Sequence, residues 1–276
     1  MPRRERNRSG ARRGPSHSGD DGSRIAVAGP NAVEAALSAR GASSVARVFR
    51  VFLEEPAPRR AHALAHQARE SGIPVSTMGA GECDRLAGAR CQGIAAEVGY
   101  AYADLDDLLA RQGLLVFLDS IADPHNLGAI LRTAEAAGAI GVVLPERRAA
   151  HVTATVMRVS AGAAIYLPVA RVTNLVRAMQ SAREAGFFLL GLAASASAAL
   201  PRGSAEDPRL GDRVGLVVGG EGEGMHRLVA ENCDELVRLP MRGRVESLNA
   251  SVAAALAIYR LLDQRLFSSS RGGKSG

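Results

Sequence analysis

The chain has 276 residues, which is enough for two domains of ordinary size, and its 47% of hydrophobic residues excludes a wholly disordered protein. Aromatic residues make up 4% and tryptophan is absent, which disfavours single-strand binding based mainly on aromatic stacking. The net charge of +6 lies in the tails, because residues 1–24 contribute +4 and residues 271–276 contribute +2.

The two ends of the chain are predicted to be disordered, since residues 1–24 and 268–276 are dominated by Arg, Ser, Gly and Pro. The basic N-terminal tail is either an arm that binds phosphates or a solvated end. Between the tails, residues 25–99 have the pattern of a small α/β domain, and residues 100–113 form an Asp-rich linker with a short helix. In the small domain we predict helices at 31–40 and 59–71 and strands at 45–53, 73–77 and 94–98.

A second domain is predicted over residues 114–267. Its first strand is a continuous apolar run, which is typical of a strand buried in a parallel sheet. Strands then alternate with helices, which predicts an α/β fold with a mostly parallel sheet covered on both faces. The predicted strands are 114–118, 140–144, 187–192, 214–218 and 235–239, and the predicted helices are 126–137, 153–164, 173–185 and 247–266.

Ligands of such sheets bind beyond the carboxyl ends of the strands, so the loops after residues 118, 218 and 239 are the candidates for chemistry. In the first loop, Asn126 is predicted to cap a helix, and Arg132 is predicted to lie in its apolar face. An arginine in that position needs an anionic or carbonyl partner, which is either a ligand or a neighbouring carboxylate.

The second loop is rich in glycine, which allows a ligand to approach the main chain closely. It contains Gly219, Gly220, Glu221, Gly222 and Gly224, and it matches neither a dinucleotide fingerprint nor a phosphate-binding P-loop. Glu221 would repel a phosphate, so a neutral or cationic ligand such as a sulfonium is favoured.

In the third loop, Ser247 is predicted to cap the last helix. Asn249 and Ser251 fall in the first turn of that helix, where free main-chain N–H groups and side-chain amides could hold a ligand.

At these residues the sequence resembles the SpoU/TrmH-type RNA ribose methyltransferases of the SPOUT superfamily. Their three motifs correspond to N-L-G-A-I-L-R-T-A from Asn126, G-G-E-G-E-G from Gly219 and S-L-N-A-S-V-A from Ser247. The resemblance extends over residues 25–266 and is strongest to the bacterial enzymes that methylate a guanosine ribose of 23S ribosomal RNA.

The resemblance implies a trefoil-knotted catalytic domain, an L30e-like RNA-binding domain at residues 25–99, S-adenosylmethionine as methyl donor, and a homodimer. It implies a catalytic set and a donor-binding set. The catalytic set is Asn126, Arg132, Glu221, Ser247 and Asn249. The donor-binding set is Gly219, Gly220, Gly224, Leu239, Met241 and Leu248. Because a guanidinium is a poor base, we expect Arg132 to bind a phosphate and to stabilise the developing alkoxide.

The implied function is 2′-O-methylation of the ribose of a guanosine in 23S ribosomal RNA, in the cytoplasm. Related enzymes usually have Tyr-Gly-x-His where this chain has Ala28-Gly29-Pro30-Asn31, and His-Gln-Gly where it has Cys91-Gln92-Gly93, both within the RNA-binding region. The same chemistry on transfer RNA therefore stays an alternative, as does a non-catalytic RNA-binding protein on this fold. A nicotinamide-dependent dehydrogenase is disfavoured because its fingerprint is missing.

Metal and membrane roles are not expected. Cys83, Cys91 and Cys233 form an odd set with no C-x-x-C spacing, which fits neither a zinc site nor a disulfide framework and favours a reducing compartment. The N-terminus has no apolar segment of the kind found in signal peptides. The longest apolar run, residues 250–259, is too short to span a bilayer.

Overall fold

A computed structural model of the protein describes residues 24–39, 46–222, 224–245 and 247–267, of which residues 205 and 264–267 are described by their main chain alone. The predicted disorder of residues 1–23 and 268–276 falls outside the described residues. Arg24, predicted to end the tail, instead begins the first strand.

As far as its residues are described, the N-terminal unit is a four-stranded sheet with three helices. Its strand order is β1-β4-β2-β3, with β4 antiparallel to both of its neighbours and β2 parallel to β3. Strand β1 and helix α3 were not predicted from the sequence. The elements are β1 (Arg24–Ala28), α1 (Pro30–Ser38), β2 (Ala46–Glu54), α2 (Arg59–Glu70), β3 (Val75–Met78), α3 (Glu82–Ala87) and β4 (Ile94–Tyr100).

A short helix, α4 (Leu105–Leu109), follows in the predicted linker, and its N-cap is the side chain of Asp104. In its described residues the C-terminal unit then contains seven strands and six α-helices, with a three-residue 3-10 helix at Gly203–Ala205. The strands are β5 (Gly113–Asp119), β6 (Gly141–Pro145), β7 (Val169–Val172), β8 (Phe188–Leu192), β9 (Ala198–Ala199), β10 (Arg213–Gly219) and β11 (Glu235–Arg238). The helices are α5 (Pro124–Ala136), α6 (Ala154–Val159), α7 (Ala163–Tyr166), α8 (Leu175–Glu184), α9 (Arg227–Glu231) and α10 (Ala250–Phe267).

The seven strands form one sheet in the order β7-β6-β5-β10-β8-β11-β9, and every neighbouring pair is parallel. All seven residues of β5 are buried at its centre, as its continuous apolar run predicts. Helices cover both faces of the sheet, so the predicted α/β class with a mostly parallel sheet is confirmed. The centre of the sheet, β5 beside β10, is where the glycine-rich loop leaves.

Several predicted helix boundaries are wrong for local reasons. The helix predicted at 153–164 is two helices, since Ala161 and Gly162 adopt left-handed φ angles of 53° and 90°. The last helix begins at Ala250, three residues after its predicted start. Strands β7 and β9 and helix α9 were not predicted from the sequence.

The two units share one continuous cluster of buried apolar residues, which extends from Ile25 to Leu262. Gly162, at the start of α7, lies against α1, and a Cβ added there would be 3.0 Å from that of Ala35. In the connecting segment, the Tyr102 hydroxyl accepts a hydrogen bond of 3.0 Å from the Val152 amide. The N-terminal unit therefore packs on the helices that flank β6 and β7.

Within the part of the chain that the structure describes, no helix is both long enough and apolar enough to cross a membrane.

Candidate active site

A cleft of about 660 Å³ opens at the carboxyl ends of β8, β10 and β11. This volume lies within the usual range of small-molecule sites, roughly 300–1,000 Å³. Four chain segments line it, and they include nine of the eleven residues predicted for the site. Those nine are Gly219, Gly220, Glu221, Gly224, Leu239, Met241, Ser247, Leu248 and Asn249.

The glycine loop forms a tight turn in which main chain packs on main chain. Gly220 and Gly224 form an isolated antiparallel bridge across the turn. A Cβ at Gly219 would lie 2.2 Å from the carbonyl carbon of Gly224, and one at Gly220 would lie 2.5 Å from the Ser120 carbonyl oxygen. Gly222 and Gly224 adopt φ angles of 89° and 70°, which L side chains rarely adopt. Glycine is therefore required to bring this main chain to the wall of the cleft.

Three polar side chains from the three predicted loops meet at the edge of the cleft. Glu221 Oε1 accepts hydrogen bonds from Asn126 Nδ2 at 2.9 Å and from Asn249 Nδ2 at 2.6 Å. The Asn249 amide also donates to Asn126 Oδ1 at 3.0 Å. We call these residues the amide–carboxylate cluster. Because both amides turn N–H donors towards one oxygen, the cluster fixes the position of the Glu221 carboxylate.

Asn249 is also the cap of α10, the role that the sequence suggested for Ser247. Its Oδ1 accepts hydrogen bonds from the main-chain N–H groups of Ser251 at 2.9 Å and Val252 at 3.3 Å. Ser247 lies two residues earlier, exposed at the cleft. The capping role of Ser247 was therefore predicted wrongly, and Asn249 couples the start of α10 to the cluster.

The capping role predicted for Asn126 is also wrong. The cap of α5 is Asp123, whose carboxylate accepts from the His125 amide at 2.9 Å, with Pro124 at the first helical position. Asn126 lies inside the first turn and is only 6% exposed. Its side chain is thereby free to join the cluster.

Arg132 does not lie where the sequence analysis placed it. The apolar face of α5 is formed by Leu127, Ile130 and Leu131, which are buried, whereas Arg132 is exposed on the opposite side. Among the described residues its guanidinium has no hydrogen bond or ion pair and does not line the cleft. It is an exposed cation on the helix that carries Asn126.

A buried carboxylate that sequence reasoning did not single out anchors the far end of the glycine loop. Asp119, at the end of β5, is 5% exposed and accepts from the His226 main-chain N–H at 2.6 Å and from its ring Nδ1 at 3.0 Å. His226 lies directly before α9. The clue to Asp119 was an acidic residue at the end of an otherwise apolar strand.

The loop after β8 was also missed, although its residues Ala193, Ala194 and Ser195 line the cleft. Its small side chains carry no chemical signature. The only available indication was its position after a strand next to β10. Among the described residues, no group of three or more His, Cys, Asp or Glu side chains could hold a metal ion.

Comparison with known proteins matches residues 113–259 to the SpoU rRNA Methylase family. A protein of Photobacterium profundum named 23S rRNA (guanosine-2′-O-)-methyltransferase RlmB is 39% identical over 247 residues, which cover 87% of this chain and 97% of that protein. The uncharacterized tRNA/rRNA methyltransferase slr0955 of Synechocystis is 48% identical over 186 residues, 65% of this chain. That match spans 47% of the Synechocystis protein, about half its length.

Among solved structures, the SpoU methyltransferase AviRb of Streptomyces viridochromogenes superposes with a TM-score of 0.74 at 26% identity, covering 91% of this chain and 92% of AviRb. The complex of AviRb with the cofactor AdoMet gives the same TM-score at 25% identity, over 88% of this chain and 91% of the other.

Proposed function

This chain belongs to the SpoU rRNA methylase family, and from that membership we propose that it transfers a methyl group from S-adenosylmethionine to RNA. The proposed acceptor is the 2′-hydroxyl of a guanosine ribose in 23S ribosomal RNA. That it is a methyltransferase of RNA using this donor follows from the family and its relatives. The position on the ribose, the base and the RNA are the proposal. The observation that carries it is the amide–carboxylate cluster of Asn126, Glu221 and Asn249 at the glycine-lined cleft.

The residues that line the cleft are chemically suited to the methyl donor. The main chain of Gly219 and Gly220 lines the cleft, and glycine is needed at both positions because a Cβ would collide with neighbouring backbone. Apolar side chains, Leu236 and Met225 among them, line the interior, which suits the uncharged parts of a nucleoside. One carboxylate, Glu221, stands at the edge and complements a cationic group. S-adenosylmethionine supplies an electrophilic methyl group on a sulfonium when it is bound.

In this proposal Gly219, Gly220, Gly224, Leu239, Met241 and Leu248 hold the donor. The cluster then has a positioning role, because Glu221 Oε1 is held by two amides while the rest of the exposed carboxylate faces outward. Asn126 is 6% exposed, so its amide acts through Glu221, whose carboxylate it holds in place. Ser247, exposed at the cleft, can hydrogen-bond to the ribose. Alignment of the hydroxyl with the methyl group supplies much of the rate enhancement.

Arg132 is proposed to bind the phosphate next to the reacting ribose and to stabilise the developing alkoxide. Its exposure and its lack of a partner among the described residues leave it available for RNA. Removing a preorganised contact of this kind costs roughly 10²–10³ in rate. We therefore expect Arg132→Ala to lower kcat by that factor with S-adenosylmethionine binding unchanged. Arg158→Ala, at another exposed helical arginine, serves as the matched control.

A homodimer, a trefoil knot and a cytoplasmic location complete the proposal. The dimer is supported by Val252, Leu256 and Tyr259, which lie along one side of α10 and are 47%, 50% and 39% exposed. Such a row of apolar side chains next to the cleft is suited to contact with a second copy. The four-stranded N-terminal unit is proposed to bind substrate RNA.

The test is a tritium-transfer assay with purified protein and labelled S-adenosylmethionine. Ribosomal RNA and transfer RNA, both from a strain lacking the gene, are offered separately, and methylated riboses are mapped by their resistance to alkaline cleavage. Label at one alkali-resistant guanosine of 23S RNA supports the proposal. Label in transfer RNA alone would overturn the substrate and keep the chemistry. Donor binding without any label in free RNA or in ribosomal particles would favour a non-catalytic RNA-binding protein.

A further inference from the structure

One half of the four-stranded N-terminal sheet has an open face with an unusual set of side chains. Helix α3 covers the other half, where Cys83 packs with Phe52 and Ala28. Beyond it, the strands present Arg24, Arg47, Phe49 and Arg50 on the side away from α1 and α2. We call these four residues the arginine platform. The three arginines are exposed and Phe49 is half-buried.

The phenyl ring of Phe49 is the fixed centre of the platform. It lies on the main chain of Gly99, where an added Cβ would be 2.8 Å from the ring. The guanidinium carbons of Arg24 and Arg47 stand 4.8 Å and 5.3 Å from the ring centroid. Cation–π contacts of this kind restrict long arginine side chains, so less entropy is lost when they bind a ligand.

The platform carries a net positive charge. Glu97 is paired with Arg24 at 3.3 Å, whereas Arg47 and Arg50 have no ion pair among the described residues. Residues 1–23, with six further arginines against three acidic residues, join the sheet at Arg24. Among the described residues, the platform itself holds three arginines against the single carboxylate of Glu97, which is complementary to a polyanion.

We propose that the arginine platform binds the phosphate backbone of the substrate RNA, away from the methyl-transfer cleft. The inference rests on the proposed function for its choice of polyanion. Guanidinium groups stacked on the Phe49 ring keep N–H donors at their edges, and these can pair with phosphate oxygens in a bidentate manner. Contacts of this type add affinity and fix the register of the RNA, while base selection is left to other contacts.

The test measures binding of ribosomal RNA to the full chain between about 50 and 200 mM salt. Arg47→Ala and Arg50→Ala should each weaken binding and reduce the slope of log K against log salt by about one. Phe49→Leu should weaken binding with no change of charge, because the arginines lose their support. Glu97→Gln should strengthen it. Arg69→Ala, at an exposed arginine of α2, should have no effect on binding.

In the methyl-transfer assay, the Arg47 and Arg50 variants should raise the KM for RNA and leave kcat and S-adenosylmethionine binding unchanged. The inference is overturned if the slope of log K against log salt is the same for these variants as for Arg69→Ala. It is also overturned if deletion of residues 1–23 alone removes the salt dependence of binding. It is also overturned if the variants lose binding to a partner protein and not to RNA. Wild-type protein that binds RNA through the platform but transfers no methyl group would refute the proposed function alone.

Discussion

Gly219→Ala is the most direct test of the glycine-lined wall. The added Cβ would lie 2.2 Å from the Gly224 carbonyl carbon and 2.3 Å from the Met225 nitrogen, whereas an ordinary contact is at least 3.4 Å. Since the colliding atoms are backbone, no side-chain rotation relieves the clash. The two arms of the turn must therefore separate by about 1.2 Å, and the Gly220–Gly224 bridge must open.

The expected consequence is larger for activity than for folding. Overpacking of this kind costs about 1–3 kcal/mol, out of a total stability of about 5–15 kcal/mol, so the variant should remain folded at room temperature. A displacement of about 1 Å at a reacting centre lowers turnover roughly a hundredfold. We expect calorimetry to show a lower affinity for S-adenosylmethionine, and we expect the methyl-transfer rate to fall by about two orders of magnitude.

Gly211→Ala is the matched control, because an added Cβ there meets no atom within 4 Å. It should keep donor affinity and turnover. Thermal unfolding of both variants separates loss of fold from loss of the site. If Gly219→Ala binds the donor and transfers methyl groups as the wild-type protein does, the close approach of main chain to donor is refuted.

Three further predictions address the surroundings of the site. Asp119→Ala leaves the His226 N–H without its buried acceptor, which costs about 1–3 kcal/mol, and it should raise the KM for S-adenosylmethionine more than it lowers kcat; an unchanged KM would contradict the anchoring role. Leu256→Asp on α10 should shift the protein from dimer to monomer in analytical ultracentrifugation, and a monomeric wild-type protein would contradict the proposed interface. Burial raises the pKa of the Cys91 thiol from 9.0 to about 12. Because the pKa is higher in the folded than in the unfolded state, the buried neutral thiol contributes to the stability of the fold. This contribution is complete below pH 9 and is lost as the pH rises towards 12. The free energy of unfolding in urea should therefore fall less steeply over that range in Cys91→Ala than in wild type, and equal slopes would contradict the assignment.

The sheet was predictable because burial on both faces leaves a direct trace in the sequence. The runs at β5 and β10 are continuously apolar, and the turns between elements are marked by glycine. The three polar loops at the carboxyl edge followed from the same topology. The expected roles of Asn126, Ser247 and the other site residues stay predictions until variants are measured.

What escaped prediction depends on three-dimensional contacts. Asn126 and Asn249 are equally good caps by residue type, but Asp123 already caps α5, whereas Asn249 caps α10. Their shared bonds to Glu221, 95 and 28 residues away, leave no local trace in the sequence. Arg132, by contrast, was misplaced although the helical period alone reveals its position: it follows Leu131 by about 100° around α5, which takes it off the face formed by Leu127, Ile130 and Leu131. The loop at Ala193–Ser195 has no reactive group at all, so only its place beside β10 reveals it.

The amide–carboxylate cluster also has a consequence for synthesis of the chain. The bond between Asn126 and Asn249 joins residues 123 positions apart, and Asn249 lies directly before α10. A ribosome that has completed α9 has made the glycine loop but not Asn249, the second amide donor of the cluster. Contacts of such long sequence separation form late in folding. A nascent chain, or one truncated before Asn249, would therefore hold an unfinished site, and methyl transfer would begin only once α10 has docked.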